Sequence, residues 1–173
     1  MDKEEYKCVK VVFSDYSEEI GTLRRKSWET VKGFDPVAFP EHTWIDDLDK
    51  TAIHWVVFEN KKIIASARLG IYNSYMEIPY MDLMEPYHSY LKLPVASLNR
   101  LVVSPDNRGR HLAQLLDKVR IEEAKKKQAR IVIGQAVSNR IGWLQSLGFE
   151  FIADIGSIKE LPNIKLSLMI KQL

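Results

Sequence analysis

A single glycine between two arginines marks the junction between a predicted apolar strand and a predicted amphipathic helix. The junction lies within LNRLVVSPDNRGRHLAQLL, residues 98–116. Pro105 has no N–H group, so the strand should leave its hydrogen-bonded ladder there. The apolar residues after the glycine recur at the spacing of one helix face, at Leu112, Leu115, Leu116 and Val119. This junction requires a sheet strand whose end leads directly into a helix.

The same turn has the chemistry of an anion site. A helix N-terminus exposes unpaired N–H groups, and its dipole favours negative charge. Gly109 permits a close backbone approach, so the amides of residues 108–113 can fan around one ligand. Arg108 and Arg110 add charged donors. Several converging donors fit a pyrophosphate better than a single carboxylate, although a helix cap with solvated charges has the same pattern.

The remaining elements predict a mixed α/β domain. A helix is expected over residues 17–32, a hairpin turning at residues 59–61, a strand over 129–137 and a short helix over 139–147 that ends at Gly148. The full order is strand, helix, two paired strands, strand, helix, strand, helix and two strands. That order predicts a sheet flanked by helices in one layered domain of 173 residues.

The composition narrows the possible partners and compartment. A net charge of +2 gives no strong attraction to nucleic acid or to anionic lipid. The lone cysteine, Cys8, favours a reducing compartment. The charged N-terminus lacks a signal core, and no apolar run reaches the roughly 18–20 residues that span a bilayer. We therefore expect a cytoplasmic protein without a membrane partner. The four histidines lack ligand spacing, so no metal site is expected.

Two segments resemble a known family. VSPDNRGRHLA is similar to the coenzyme A signature of the GNAT superfamily of N-acyltransferases, with Arg108 in its first position and Ala113 in its last. His111 stands where the family usually has glycine. SNRIGWLQSLGFEF is similar to the family's later helix, which ends in Leu-Gly-Phe before a strand. The resemblance implies a single-domain GNAT fold over residues 1–173, with a mixed, mostly antiparallel sheet flanked by helices.

A second likeness concerns the segment between Asp46 and Leu69. Its pattern D-x-x-D…H-W-V-V…ASARL resembles the branch that includes acyl-homoserine-lactone synthases. That branch takes long acyl groups from acyl carrier protein. The tyrosine- and methionine-rich segment over residues 74–95 fits a hydrophobic acceptor or a longer acyl chain, and equally a loop that packs on the sheet.

The superfamily resemblance implies where acetyl-CoA or coenzyme A would bind. The strand before the turn would offer backbone groups to the thioester and pantetheine, and the turn would hold the diphosphate. A polar residue at the start of the last helix would also touch the cofactor. The implied cofactor-binding residues are Leu101, Val102, Val103, Arg108, Gly109, Arg110, His111, Leu112, Ala113 and Asn139.

Catalytic groups are harder to assign. The family often has a tyrosine five residues before the phenylalanine of Leu-Gly-Phe, and Leu144 stands there. Ser138, Asn139, a tyrosine from elsewhere or water would have to protonate the thiolate. The strand before the turn has no glutamate, and the irregular segment beside it offers Glu77, Asp82, Glu85 and His88. His88 is the candidate base, because an unperturbed imidazole titrates near neutral pH, although a surface histidine has the same pattern.

The resemblance therefore leads to three functional hypotheses. The first is an N-acetyltransferase that moves an acetyl group from acetyl-CoA to a small-molecule amine by direct attack. The second is a long-chain acyltransferase that uses acyl carrier protein. The third is a coenzyme A-binding module without catalysis. Members of the family commonly form homodimers, so a homodimer is also an open expectation.

Overall fold

The computed structural model describes residues 6–173. Part of the expectation that the chain lacks a signal core concerns residues 1–5, which lie outside the described residues. The strands are β1 (Cys8–Val11), β2 (Ile53–Glu59), β3 (Lys62–Tyr72), β4 (Val95–Val103), β5 (Ile131–Ala136), β6 (Glu150–Gly156) and β7 (Leu166–Gln172). The helices are α1 (Phe13–Glu29), α2 (Met81–Met84), α3 (Leu112–Lys126) and α4 (Ser138–Ser146).

These strands form one sheet in the order β1-β2-β3-β4-β5-β7-β6. Neighbouring strands run antiparallel except β4 and β5, which are parallel. A parallel pair needs a crossover connection, and α3 supplies it between β4 and β5. The predicted α/β class, with a mostly antiparallel sheet flanked by helices, is confirmed.

The sheet opens between β4 and β5. These strands pair only from Val95 opposite Ile131 to Leu98 opposite Gly134. Beyond that point β4 continues to pair with β3 on its other side, up to Val103 opposite Ala65. Across the opening, Asn99 Nδ2 donates to Gln135 Oε1 at 3.1 Å. The edge of β4 that faces β5 is therefore free of backbone pairing where it approaches the turn.

Helix α3 covers one side of the sheet with its predicted apolar face. Leu112 and Leu116 are buried to 2% and 0% exposure and pack with Leu98 and Val132. Burial of a leucine side chain contributes about 1.5–3 kcal/mol, so this contact holds the turn that precedes α3 against the sheet. A second core on the other side of the sheet contains Phe39 and Trp44.

The first helix begins earlier than its local sequence signals indicate. Residue 17 was the predicted start, but α1 begins at Phe13 and contains a non-helical residue, Tyr16, with φ −134°. The rings of Phe13 and Tyr16 pack on His54 and Phe58 of β2. These tertiary contacts favour the additional turn, which a capping pattern does not reveal. Within residues 6–173, none of the helices has the length and hydrophobicity needed to cross a bilayer.

Candidate active site

A cavity of about 410 Å³ lies in the opening between β4 and β5. Several parts of the fold line it: the end of α1 with the segment after it, Tyr80 before α2, strand β4, the turn and helix α3, strand β5 with α4, and the segment from the end of β6 to the start of β7. The β4 and α3 side contributes Leu98, Asn99, Arg100, Leu101, Val102, Val103, Arg108, Ala113 and Asp117. Facing it are Gly134, Gln135, Ala136, Val137, Asn139, Arg140 and Leu144.

The turn before α3 has the backbone geometry of an anion cradle. Gly109 has φ +80°, and a Cβ built on it would meet no atom within 4 Å. The amide of Leu115 donates to the carbonyl of His111 at 3.1 Å and so begins the ladder of α3. The amides of Leu112, Ala113 and Gln114 are the unpaired donors of a helix N-terminus, whereas the amide of Arg108, which was expected to join them, donates to the carbonyl of Pro105 at 3.4 Å. The residues present therefore fit a diphosphate, with open space above Gly109 and donors beside it.

The two arginines of the turn have different surroundings. Arg108 lines the cavity and donates through Nη2 to the carbonyl of Ser27 in α1 at 2.7 Å. Arg110 instead donates through Nη1 to Glu59 Oε1 at 2.7 Å and to the Tyr6 hydroxyl at 2.6 Å. Hydrogen bonds from Tyr6 and Asn107, together with Arg110, lower the pKa of Glu59. Arg110 thus faces the β2–β3 turn, and Arg108 is the arginine placed for a ligand in the cavity.

His111, which precedes α3, has a left-handed backbone conformation. Glycine adopts this conformation most easily, which explains why the family usually has glycine at this position. The φ of His111 is +61°, and its side chain is exposed, with Nδ1 2.9 Å from Gln114 Oε1. The imidazole lies outside the cavity wall, and Leu112 beside it is buried in the core. A left-handed backbone strains residues that have a Cβ.

Replacing His111 by glycine is expected to raise the free energy of unfolding by about 0.5–1 kcal/mol, because glycine removes the left-handed strain. Chemical denaturation would measure the change. Gln128, with φ +58° at the far end of α3, offers Gln128→Gly as a matched control away from the turn. A lower stability for His111→Gly alone would show that the contact with Gln114 outweighs the strain.

Of the three candidate catalytic residues, only Asn139 lines the cavity. Asn139 is the second residue of α4 and lines the cavity, whereas Ser138 does not. His88 lies on the 3₁₀ helix over residues 85–90, with its ring 4.2 Å from that of Tyr75 and outside the cavity wall. Leu144 is 4% exposed and lines the cavity at the position where the family often has tyrosine.

Tyr80 is a tyrosine that the cavity does contain. It lies at the start of α2 with φ +61° and contributes to the wall. Burial raises the pKa of its hydroxyl, against a smaller opposing effect of the Arg100 guanidinium. Tyr80 therefore stays protonated near neutral pH and can donate a proton inside the cavity. Sequence reasoning allowed for a tyrosine from elsewhere without identifying this one.

A buried cluster of five charged side chains adjoins the cavity and was missed as a site by sequence reasoning. Arg24 binds both oxygens of Asp49, at 2.9 and 3.0 Å, and both side chains are fully buried. Arg68 Nη1 contacts Asp49 Oδ1 at 3.0 Å and Asp46 Oδ1 at 2.6 Å. Arg100 Nη2 contacts the other oxygen of Asp46 at 2.7 Å. The available sequence signals were an arginine inside each of the apolar strands β3 and β4 and the pattern D-x-x-D…ASARL, which contains Asp46, Asp49 and Arg68 but had been given no site role.

The cluster also changes proton affinities. Burial alone would raise the pKa of Asp46, but the ion pairs and hydrogen bonds with Arg68 and Arg100 lower it to about 2. Burial would also raise the pKa of Asp49, but hydrogen bonds and ion pairs, mainly with Arg24, lower it. Burial lowers the pKa of His54, whose Nε2 lies 2.9 Å from the carbonyl oxygen of Asp49. The two carboxylates are therefore charged at neutral pH, and the histidine is neutral.

The lowered pKa of Asp46 predicts a loss of stability in acid. A carboxyl group with a depressed folded pKa stabilises the fold above its ordinary pKa of 3.8, and this contribution disappears as the pH falls towards about 2. We expect Asp46 to contribute about 2 kcal/mol to the difference in unfolding free energy between pH 5 and pH 2. Urea titrations over that range would measure it. Asp46→Asn should flatten the dependence, while Asp47→Asn at an exposed neighbour should not.

Another carboxylate, that of Asp117 in α3, connects the two sides of the opening. It is 1% exposed and accepts hydrogen bonds from Arg120 at 2.6 Å and from Trp143 at 2.9 Å. Arg140 of α4 also donates to it. Arg120 in turn donates to the carbonyls of Arg68 and Asn99, at 3.0 and 3.2 Å. With all these donors, Asp117 is a structural anchor and not a free base. Across residues 6–173, no cluster of His, Cys, Asp or Glu is arranged to hold a metal ion.

The opening between parallel strands and the cradle at its end define the class of protein. The sequence profile of the Acetyltransferase (GNAT) family matches residues 17–149. The chain therefore belongs to this family and is an acyltransferase. No curated protein was found to match the sequence.

Solved structures share the fold over almost the whole chain. Arylalkylamine N-acetyltransferase 2 from Aedes aegypti matches with TM-score 0.70 and 16% identity, covering 98% of this chain and 99% of that one. Polyamine N-acetyltransferase from Drosophila melanogaster matches with TM-score 0.68 and 14% identity, covering 98% and 100%. FeeM, an N-acyl amino acid synthase from uncultured soil microbes, matches with TM-score 0.68 and 13% identity, covering 97% and 90%. At these identities the likeness establishes the fold.

Proposed function

We propose that this protein transfers an acyl group, in the first instance acetyl from acetyl-CoA, to a small-molecule amine by direct attack. The observation that carries the proposal is the opening between β4 and β5, which ends at the cradle around Gly109. Acyl-CoA would supply a thioester and a diphosphate. The opening provides an unpaired strand edge for the first, and the cradle provides helix amides with Arg108 for the second.

Different residues along the cavity would bind the cofactor, position the thioester and protonate the leaving sulfur. The backbone of Leu101, Val102 and Val103, together with the Asn139 side chain, would orient the pantetheine arm and thioester. The amine nitrogen would bond to the acyl carbon as the carbon–sulfur bond breaks. Tyr80 would protonate the departing sulfur, in place of the tyrosine that Leu144 replaces. The amine proton would pass to water. Asp117 is not a free base, because it already accepts hydrogen bonds from Arg120, Arg140 and Trp143.

The proposal is tested by titrating acetyl-CoA into the folded protein in a calorimeter and by following thiol release with a panel of amines. Binding in the micromolar range with thiol release for at least one amine is expected. Absence of binding at high micromolar ligand would contradict the proposal. Binding without thiol release for any amine would favour the non-catalytic module instead.

Tyr80→Phe is expected to lower kcat about 10–100-fold, because a positioned acid contributes at least that much to such a step. KM for acetyl-CoA should change little. Tyr75→Phe is the matched control, since Tyr75 bonds to the carbonyl of Leu91 and does not line the cavity. Unchanged turnover by Tyr80→Phe in a thiol-release assay would remove Tyr80 from the reaction.

A longer acyl donor is a second candidate, favoured by the apolar wall of the cavity. The segment after β6 and the start of β7 contribute Ile158, Leu161 and Leu166 to that wall, beside Leu98 and Leu144. Such a surface fits a hydrocarbon chain better than an acetyl group alone. Comparing kcat/KM for acetyl-, octanoyl- and dodecanoyl-CoA, and for acyl carrier protein thioesters, would separate the two candidates.

Location and assembly are further parts of the proposal. A cytoplasmic location is supported by Cys8, a free thiol whose pKa burial raises to about 11, because unpaired cysteines suit a reducing compartment. The homodimer expected from the family stays a prediction, which sedimentation would test.

A further inference from the structure

We infer that the acceptor amine also carries a carboxylate, and that Arg100 binds this carboxylate on the wall of the cavity. The inference rests on the proposed function and deepens it. It separates acceptors such as amino acids from simple amines.

The backbone at Arg100 is bent into an unfavourable conformation. Its φ is +51°, and the register with β3 shifts between Ser66 and Arg68 opposite it. A left-handed non-glycine residue inside a strand is strained and persists only where its surroundings hold it. Bulges of this kind redirect a side chain. Here the bulge accompanies an Arg100 side chain that reaches the cavity wall.

Aromatic side chains hold the guanidinium in place. Its Cζ lies 3.7 Å from the ring centre of Trp44 and 5.9 Å from that of Tyr80. Arg100 is 8% exposed at its side chain. A fixed, partly desolvated guanidinium binds a carboxylate more strongly than a mobile surface arginine does, since little entropy remains to be lost.

The buried cluster has one more positive charge than negative. The guanidiniums of Arg24, Arg68 and Arg100 are balanced by the carboxylates of Asp46 and Asp49 alone. Arg24 and Arg68 do not line the cavity, whereas Arg100 does. Arg100 uses Nη2 on Asp46, and its buried Nε has no hydrogen-bond partner among the described residues. Arg100 is therefore the arginine of this net-positive cluster that lies at the cavity wall.

Other acids near the cavity do not cancel this charge. Asp117 lines the wall but is occupied by Arg120, Arg140 and Trp143. The charge of Glu160 contributes to the raised pKa of Tyr80, but Glu160 does not line the cavity, and its carboxylate lies 3.8 Å from the exposed Lys159. A lone ammonium group would thus meet a positive wall without a free carboxylate. An acceptor with its own carboxylate would instead satisfy the arginine.

The surroundings of Arg100 also indicate what else the acceptor carries. Trp28 and Trp44 line the same wall, with ring centres 6.0 Å apart. An apolar or aromatic side chain next to the carboxylate fits this surface. The class of acceptor is therefore an amino acid with an apolar side chain, bound through its carboxylate while its amine faces the thioester.

The test compares acceptors that differ only in the carboxylate. Thiol release from acyl-CoA is measured with the common amino acids, with their decarboxylated amines and with their amides. Phenylalanine, phenethylamine and phenylalaninamide form one such set. Phenylalaninamide keeps the carbon skeleton but has a less basic amine, whereas phenethylamine has an amine about as basic as that of phenylalanine. A preference for the acid over both partners therefore cannot come from amine basicity. We expect kcat/KM for the acid to exceed that for either partner by a factor of the order of 100.

Variants then attribute the preference to Arg100. Arg100→Gln should reduce the acid-to-amide ratio towards one, and Arg100→Lys should keep part of it, because the charge remains without the planar fork. Arg25 is a buried arginine that does not line the cavity, so Arg25→Gln should retain the ratio. KM for acyl-CoA, measured in the same assays, reports whether each variant is folded and loaded.

Three outcomes would overturn the inference. Amines or amides could be used as well as the acids, the acids could all fail while acyl-CoA binds, or Arg100→Gln could keep the full acid-to-amide ratio. Failure of the proposed function is a different result, in which neither acyl-CoA binding nor thiol release with any acceptor is detected.

Discussion

Gly109→Glu is expected to weaken acetyl-CoA binding by a factor of the order of 1000, since a carboxylate beside the diphosphate replaces an attraction with a repulsion of several kcal/mol. The new side chain would enter the open space above the turn, where a Cβ meets no protein atom within 4 Å. Isothermal titration calorimetry of the folded variant measures the loss. No packed atom has to move, but the left-handed backbone at Gly109, with φ +80°, costs any side chain about 1–2 kcal/mol of stability, so the titration uses variant protein shown to be folded by circular dichroism.

Gly142→Ala is the matched control for this experiment. Gly142 lies in α4, does not line the cavity, and a Cβ there also meets nothing within 4 Å. Its variant should bind acetyl-CoA as the wild type does. If Gly109→Glu bound with wild-type affinity, the diphosphate would have to lie elsewhere, and the proposed role of the turn would be wrong.

Asp49→Ala is expected to lower the free energy of unfolding by about 3–5 kcal/mol, because it leaves buried guanidiniums without their counterion. Asp49 is fully buried, binds Arg24 through both oxygens and contacts Arg68. It also caps the short helix over residues 47–50, since its side chain accepts from the amide of Asp46 at 3.0 Å. Urea or guanidinium denaturation would measure the loss.

Asp47, two residues earlier, provides the control. Its carboxylate is 92% exposed and pairs with Lys50 at 2.8 Å. An exposed pair of this kind is worth about 0–1 kcal/mol, so Asp47→Ala should be close to neutral. Similar losses for both variants would show that the buried cluster is not a major source of stability.

The cradle could be predicted because its signals are local. Pro105, Gly109 and the apolar spacing after them lie within one short segment, and each constrains the backbone of its own neighbourhood. The resemblance to the family likewise depended on short, contiguous patterns. The order of elements followed from hydrophobic periodicity along the chain, and the mostly antiparallel sheet was confirmed.

The catalytic candidates show where local signals were insufficient. Asn139, Ser138 and His88 were chosen for their chemistry and for nearby segments, but only Asn139 lines the cavity. Tyr80 and Arg100 line it as well, each with positive φ. Backbone conformations of this kind have no reliable sequence pattern in residues other than glycine, because the surrounding packing imposes them.

By itself, the sequence determined the strand–turn–helix cradle, the arrangement of elements and the family of acyltransferases. The tertiary structure decided which side chains face the opening between β4 and β5 and how the buried charges are paired. Arg24 and Arg68 both contact Asp49, across 25 and 19 residues of chain. Such contacts depend on how α1 and the segment before β2 pack on the sheet. Local spacing determines which face of an element a residue occupies, but not which distant residue meets it there.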